Sequence, residues 1–274
     1  MKQIPVGYQL YSAREDVARD MGGVLAALKK LGYDGVEFAG FFDLSAKEIK
    51  KMLDDNGLTA VSSHVPIQSI ARDMFGTIGY HQELGCKYIA VPYLDNDHRP
   101  GAAGFPEMIN LIHRFGRLCR EAGMQLLYHN HDFEFVQLSG MYGLDFLYQA
   151  VDADILKTEI DVCWVKYAGE DPAAYLRKYA GRAPIVHLKD YVGVKGEGTP
   201  YALIGQAKKE DANVAFEFRP FGHGSQDAKA VTEAGIDAGA EWFVIEQDLW
   251  YQRTPMEAAK MSIDTLYELG IKKR

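Results

Sequence analysis

Histidines and carboxylates recur at the ends of short apolar runs in this sequence. The clearest examples are Glu37, His129, His131, Asp132, Glu134, Glu159, Asp161, His187, Asp190, Glu246 and Asp248. Carboxylates and imidazoles form the mixed oxygen and nitrogen ligand set that Mn²⁺, Mg²⁺, Co²⁺ or Zn²⁺ accepts. Carboxylates packed together without a cation repel one another, and some must take up protons. We therefore interpret these residues as a candidate site for one divalent metal ion. The competing interpretation is a set of separate, ion-paired residues at strand ends.

The elements that must position these residues alternate between strands and helices. Apolar runs typical of buried strands cover residues 4–11, 35–39, 59–65, 88–93, 125–131, 157–162, 185–188 and 242–246. Helical patterns cover residues 16–31, 45–56, 106–122, 144–151, 172–179, 227–238 and 255–269, and another leads to Gly85. Residues 202–209 are a further helix candidate, and residues 214–218 are an extra strand. The alternation predicts an α/β fold, a (β/α)₈ TIM barrel with one domain over residues 1–274. A doubly wound open sheet is the structural alternative.

Local signals agree with these helices. Gly32 and Gly57 stand where glycine ends a helix, and Ser45 precedes Glu48 by the three residues of a capping box. In a TIM barrel the active residues come from the carboxyl ends of the strands. The polar residues above occupy those ends, so we expect them to meet at one mouth of the barrel.

Composition excludes several classes of partner. The chain has 274 residues, 47% hydrophobic and 25% charged, with a formal net charge of −8. This balance does not suggest nucleic-acid binding, which needs a basic face. No run of eighteen apolar residues predicts a membrane span, and the N-terminal residues do not resemble a secretory signal. Cys86, Cys119 and Cys163 are predicted to be buried free thiols. We expect a cytoplasmic protein that binds a small molecule.

Several segments together resemble one known family over essentially the whole chain. They are GYQLYS at residues 7–12, YHNHDFEF at 128–135, EIDV at 159–162, VHLKD at 186–190, RPFGHG at 219–224 and VIEQD at 244–248. Each motif is weak alone, but their order and strand positions are specific. The chain resembles the xylose isomerase-like sugar phosphate isomerase/epimerase superfamily, whose fold is a TIM barrel.

The resemblance implies one metal ion held by residues from strands five to eight. The matching positions are Glu134, Asp161, His187 and Glu246. Mn²⁺ is the expected ion, with Mg²⁺, Co²⁺ and Zn²⁺ as alternatives. Glu134 lies several residues beyond its predicted strand, so His129 or His131 is an alternative ligand. His223 stands where many relatives carry Glu, which removes the basis for a role at that position.

The resemblance also implies a reaction beside a carbonyl. A chelated ion would polarise the carbonyl, and two carboxylates would move the proton on the neighbouring carbon. Glu134 and Glu246 are the predicted catalytic pair. The predicted substrate-binding residues are Gln9, His64, His129, His131, Trp164 and Lys189. One of Lys189 and Asp190 is expected to face the pocket, with a rim ion pair as the alternative for either.

Two functions remain open at this point. The first is a metal-dependent isomerase or epimerase that acts on a keto-sugar or related polyol through an enediolate. The second is a lyase or dehydratase that resembles inosose dehydratases or enzymes eliminating from 3-keto-glycosides. The related metal-dependent endonucleases fit the acidic chain poorly, and a non-enzymatic sugar-binding barrel is a further alternative. The chain shows no Gly-rich phosphate cradle. Residues 250–253 are a candidate mouth cover or subunit contact, so a homo-oligomer stays open.

Overall fold

The strands close into a parallel barrel. The computed structural model describes residues 2–196, 198–212 and 215–273. We number the barrel strands β1 (Val6–Gln9), β2 (Gly35–Phe38), β3 (Thr59–His64), β4 (Tyr88–Val91), β5 (Gln125–His129), β6 (Leu156–Asp161), β7 (Ile185–Leu188) and β8 (Trp242–Ile245). Neighbours in sequence pair in parallel, and β1 pairs with β8 to close the barrel. The (β/α)₈ prediction is confirmed, and the open-sheet alternative is wrong.

Helices surround the barrel. They are α1 (Arg14–Leu31), α2 (Ala46–Asn56), α3 (Ile67–Arg72), α4 (Met74–Leu84), α5 (Phe105–Glu121), α6 (Gly143–Ala150), α7 (Val162–Tyr167), α8 (Pro172–Lys178), α9 (Ala228–Asp237) and α10 (Pro255–Glu268). Gly32 ends α1 at φ +103 and Gly57 ends α2 at φ +59, backbone conformations that favour glycine. Ser45 and Glu48 form the predicted capping box. Among the described residues, no helix has the length and apolar character that a membrane span needs.

The apolar core has two layers around the strands. Inside the barrel, Val61, Tyr88, Leu127, Ile185 and Val244 are buried against one another. Outside, a continuous core joins the strands to the helices. Full burial of one such aliphatic side chain stabilises a fold by roughly 1.5–3 kcal/mol. This packing makes the strand ends a rigid base for the polar residues above them.

Two predicted elements near the mouth need correction. Residues 202–209 are not one helix, because the 3₁₀ turn Pro200–Ile204 ends at Gly205, which has φ +74. A separate 3₁₀ turn covers Lys209–Ala212. The extra strand is Phe216–Arg219, which pairs antiparallel with Asp190–Gly193, whereas Val214 lies outside the described residues.

The first and fifth predicted strands are shorter than expected. β1 stops at Gln9, whose side chain accepts a hydrogen bond from the Tyr11 amide and begins a 3₁₀ turn. β5 stops at His129, so His131 lies in the following turn rather than on the strand. The three cysteines are buried and free, as predicted.

Candidate metal centre and active-site cavity

Strand register places acidic and imidazole side chains side by side at the carboxyl end of the barrel. His129 on β5 pairs with Glu159 on β6, and Asp161 pairs with His187 on β7. Glu159 and Asp161 are two residues apart, the spacing that directs strand side chains to the same face. All four side chains are buried. The parallel register of three adjacent strands therefore gathers them in one place.

Two overlapping groups of side chains have metal-binding geometry. The Asp161 group contains His129, Asp161, His187 and Glu246. The Glu159 group contains His64, His129, Glu159 and His187. Within each group, one potential ligand atom per residue lies within 4.8 Å of all the others. Because His129 and His187 belong to both groups, one ion between these strands would draw on shared ligands.

Several potential metal-ligand atoms in these groups lack hydrogen-bond partners among the described residues. They are Nδ1 of His129, Oε2 of Glu159, Oδ2 of Asp161 and Nε2 of His187. An unpartnered buried polar atom carries a desolvation cost of about 1–3 kcal/mol. Coordination to a cation would remove that cost. Two carboxylates and two imidazoles also suit Mn²⁺, Co²⁺ or Zn²⁺, so the residues of the Asp161 group fit a divalent ion.

The carboxylates of the two groups differ in their ease of ionisation. Burial raises the pKa of Asp161 to about 7, against the opposing effect of Lys189. Burial, together with the nearby Glu37 carboxylate, raises the pKa of Glu159 to about 7. Burial also opposes ionisation of Glu246, but Lys189 and His187 outweigh it and lower the pKa of that carboxyl. A divalent cation would favour the ionised form of all three.

Glu37 connects the two groups to the first strands of the barrel. Gln9 Nε2 donates to Glu37 Oε1 at 2.5 Å, and the Ser62 hydroxyl donates to Oε2. The same carboxylate lies 2.8 Å from His187 Nε2, outside hydrogen-bond geometry. Burial opposes ionisation of Glu37, but His64 and His187 outweigh it and hold its pKa well below the usual range. Glu37 therefore supplies a fixed negative charge beneath the candidate metal ligands.

The histidines around the site differ in their ease of protonation. Burial disfavours protonation of His64, but Glu37 and Glu159 outweigh it and raise its pKa to about 10. Burial lowers the pKa of His129 and His131 well below the usual value. His129 and His131 are thus neutral near pH 7, and a neutral imidazole can bind a metal ion or accept a proton.

Lys189 brings a cation to the edge of the Asp161 group. Its ammonium lies 2.7 Å from Asp248 Oδ2 and 3.4 Å from Glu246 Oε2. Burial disfavours the ammonium, but Asp248 and Glu246 outweigh it and raise its pKa. Lys189 is the pocket-facing member of the Lys189–Asp190 pair. Asp190 instead accepts hydrogen bonds from the backbone amides of the loop at residues 222–226.

A cavity of about 710 Å³ opens above these groups. Its charged and imidazole lining includes His64, His129, His131, Lys189, Glu246 and Asp248. Of the predicted substrate-binding residues, His64, His129, His131 and Lys189 line it. Gln9 and Trp164 are fully buried behind its wall: Gln9 holds Glu37, and Trp164 stacks parallel to Phe216.

Glu134 lies apart from both ligand groups. The Tyr128 hydroxyl donates to Oε1 at 2.7 Å, and the His131 amide donates to Oε2 at 2.8 Å. Burial raises the pKa of Glu134 to about 8. Both carboxylate oxygens are already engaged, so its role as ligand and base stays a prediction that these contacts do not favour.

Three buried acids were recognised at strand ends without being assigned a role. Glu37, Glu159 and Asp248 all contact the histidines or the lysine of the site. Their signal in the sequence is position: Glu37 and Glu159 lie near the carboxyl ends of their strands, and Asp248 follows its strand. The spacing of Glu159 from Asp161 indicates a shared face, but the sequence does not reveal which partners that face meets.

The fold is a TIM barrel, and the buried histidines and carboxylates at its mouth form a candidate site for a divalent metal ion. The family model described as xylose isomerase-like TIM barrel matches residues 25–269, and the chain belongs to this family. An inosose dehydratase from Geobacillus kaustophilus is 25% identical over 177 residues, which is 57% of each chain. The chain thus spans little more than half the length of that curated relative.

Solved structures share the fold across the whole chain. A sugar phosphate isomerase/epimerase from Parabacteroides distasonis superposes with a TM-score of 0.77 at 22% identity, covering 97% of this chain and 94% of that one. The IOLI protein with a bound zinc atom superposes with a TM-score of 0.73 at 14% identity, covering 99% and 100%. At these identities the superpositions establish the fold alone.

Proposed function

We propose that this protein is a divalent-metal-dependent enzyme that removes the proton next to the carbonyl of a keto-sugar or a related cyclic polyol ketone. The observation that carries the proposal is the Asp161 group, four buried side chains at the floor of a ligand-sized cavity, three of which (His129, Asp161 and His187) carry an atom without a hydrogen-bond partner among the described residues. An ion bound there would polarise the carbonyl and stabilise the charge of an enediolate. Zinc in a protein of the same fold is consistent with such an ion.

The metal ligand that we assign to the β5 region differs from the residue that the family resemblance implies. We assign His129 in place of Glu134, with Asp161, His187 and Glu246 as the other three ligands. His129 belongs to both candidate groups, whereas Glu134 is held by Tyr128 and His131. Mn²⁺ remains the proposed ion, with Mg²⁺, Co²⁺ or Zn²⁺ as alternatives.

The acid–base groups must reach the substrate from the cavity wall. Glu246 lines the cavity, as does His131, whose Nδ1 has no hydrogen-bond partner among the described residues. We assign the proton transfers to these two groups. His131 is neutral because burial lowers its pKa, so it can take up a proton at neutral pH. Lys189, fixed by Asp248, would orient a substrate oxygen through its remaining N–H donors.

Two outcomes follow from one proton abstraction. Return of the proton to the neighbouring carbon gives an isomerase, and its return to the opposite face of the same carbon gives an epimerase; both belong to the first candidate. Loss of a group from the next carbon gives a lyase or dehydratase, which is the second. The inosose dehydratase relatives favour the second candidate, as does the size of the cavity, which leaves space for a departing group.

The test combines metal analysis with solvent deuterium exchange. The metal content of the purified protein is measured, and deuterium uptake from D₂O is followed by mass spectrometry with added Mn²⁺ over ketoses, inososes and 3-keto-glycosides. We expect bound metal and metal-dependent uptake into at least one substrate, with both lost or strongly reduced in Glu246→Gln. The product mass separates isomerisation from loss of water or an aglycone.

Glu241→Gln is the matched control. Glu241 precedes β8 at the opposite end of the barrel, where it accepts hydrogen bonds from Lys87 and Tyr88. This variant should keep the metal and the exchange. A protein that takes up no divalent ion when Mn²⁺, Co²⁺ and Zn²⁺ are supplied would contradict the proposal, and a sugar-binding barrel would then be the better account.

A further inference from the structure

The cavity wall changes character from one side of the barrel mouth to the other. The ends of β3, β5, β7 and β8 supply its histidines, Lys189, Glu246 and Asp248. The loops after β2, β3 and β4 stand across the mouth and contribute Ala39, Gly40, Phe41, Val65, Pro66 and Pro92. We call the first side the donor half and the second the apolar half. A ligand that chelates an ion in the donor half must extend along the apolar half if it fills the cavity.

The cavity is large for one sugar ring. Its volume of about 710 Å³ lies well within the roughly 300–1,000 Å³ of pockets that enclose drug-sized ligands. A single keto-sugar has only about a dozen heavy atoms. A substrate of that size would leave much of the apolar half in contact with water, so the volume indicates a larger substrate.

The charges exclude an anionic extension such as a phosphate or a nucleotide. Among the described lining residues, Lys189 is the one lysine or arginine, and Asp248 and Glu246 already neutralise it. Asp95 on the apolar side adds a negative charge. A phosphate group in the apolar half would lie beside the Asp95 carboxylate, and the described lining residues of that half include no lysine or arginine to compensate the two charges.

Two polar side chains of the apolar half, Gln68 and Asp95, are already engaged in hydrogen bonds. Gln68 donates to Asp95 at 2.6 Å, and His98 lies 2.6 Å from the same carboxylate. A second sugar ring would bring several hydroxyls to this wall, and each buried hydroxyl without a partner is costly. An uncharged apolar group meets no such cost and gains from contact with Phe41, Val65 and the two prolines.

We propose that the apolar half is a binding subsite for an apolar, aromatic group joined to the sugar, so that the natural substrate is a glycoside or a similar sugar conjugate. This proposal rests on the function proposed above, because the ion in the donor half fixes which end of the substrate is the sugar. The loop residues then select the substrate through the attached group. Phe41 packs against Tyr80 with ring centroids 4.3 Å apart and the rings tilted by 36°, which gives the subsite a supported aromatic surface.

The test compares two unreactive ligands that differ only in the attached group. Affinities of methyl and phenyl β-D-glucopyranoside for the Mn²⁺-loaded protein are measured by calorimetry. We expect the phenyl glycoside to bind at least about tenfold more tightly, because its ring buries additional apolar surface. Phe41→Ala should reduce this preference about threefold or more, and Ser69→Trp should abolish it by filling the subsite.

Ser69→Ala is the matched control. It changes the same half-buried lining position without adding volume, and it should keep the preference for the phenyl glycoside. Circular dichroism and metal content verify that each variant is folded and loaded.

Three results would contradict the proposed subsite. They are equal affinity for the two glycosides, an equal loss of affinity for both in Ser69→Trp, and no detectable binding of either glycoside at millimolar concentration. None of these results would affect deuterium exchange on a ketose or an inosose. Failure of the subsite is therefore distinguishable from failure of the proposed reaction.

Discussion

The donor half and the apolar half of the mouth are built in different ways. The donor half takes the ligand candidates His129, Asp161 and His187 from the strands themselves, where parallel register sets their spacing. The apolar half takes its side chains from loops and from the start of α3. Strand ends hold reacting groups rigidly, whereas loops tolerate change in sequence. The comparison indicates that reaction chemistry and substrate choice are separated across one cavity.

The largest expected effect concerns which residue of the β5 region binds the metal ion in the donor half. His129→Ala should lower the affinity for Mn²⁺ by at least about 100-fold, because loss of a direct ligand exceeds the loss of an outer partner. Glu134→Gln should change the affinity less than about threefold, since Tyr128 and His131 already engage that carboxylate. Competition with a chelating dye measures both. The reverse order would restore Glu134 as the ligand.

Substitution of Glu37 tests whether metal binding in the donor half depends on the negative charge of this carboxylate. Glu37→Gln should weaken metal binding about tenfold, because the site would lose a negative charge 2.8 Å from His187 Nε2 that attracts the cation. Ser62→Ala removes one hydrogen bond to Glu37 but keeps its charge, so it should cost less than about threefold. Unchanged affinity in Glu37→Gln would mean that Glu37 serves only the packing of the barrel.

The two halves should also differ in pH dependence: metal affinity in the donor half should change with pH, whereas glycoside preference in the apolar half should not. Burial raises the pKa of Asp161 to about 7, and metal ligands must lose their protons before they bind. Metal affinity should therefore rise with pH and be at least about tenfold higher at pH 8 than at pH 6, because Asp161 must lose a proton of pKa about 7. His187 adds to this rise, because burial disfavours its charged form but Glu37 and Glu159 outweigh burial and raise its pKa. The preference for phenyl over methyl glycoside should stay constant at saturating Mn²⁺. A pH-independent metal affinity would contradict the assignment of Asp161 as a ligand.

The smallest expected effects concern the helices next to the two halves. Ser45 caps α2 after β2, and Thr254 caps α10 after β8, each within a capping box. Ser45→Ala and Thr254→Ala should each lower the free energy of unfolding by about 1 kcal/mol. Urea titration measures this loss. Neither variant should change metal affinity or glycoside preference, and a change in either would show that a helix cap helps to position its half of the mouth.

The sequence by itself determined the barrel and the strands that carry the chemistry. Apolar runs alternating with helical patterns define (β/α)₈ order, and both signals are local. The positions of Asp161, His187 and Glu246 at strand ends placed them on one face. His129 was recognised as an alternative ligand because it stands closer to its strand than Glu134 does.

Tertiary structure decided the rest, because contacts between distant segments direct side chains beyond the ends of strands. Tyr128 and the backbone of His131 turn Glu134 away from the ligand groups. Packing against Phe216 buries Trp164, which the sequence placed at a sugar-binding rim. The division of the mouth likewise depends on which loops face which strands across a closed barrel. Periodicity predicts the face of a strand, but only folding brings that face to its partners.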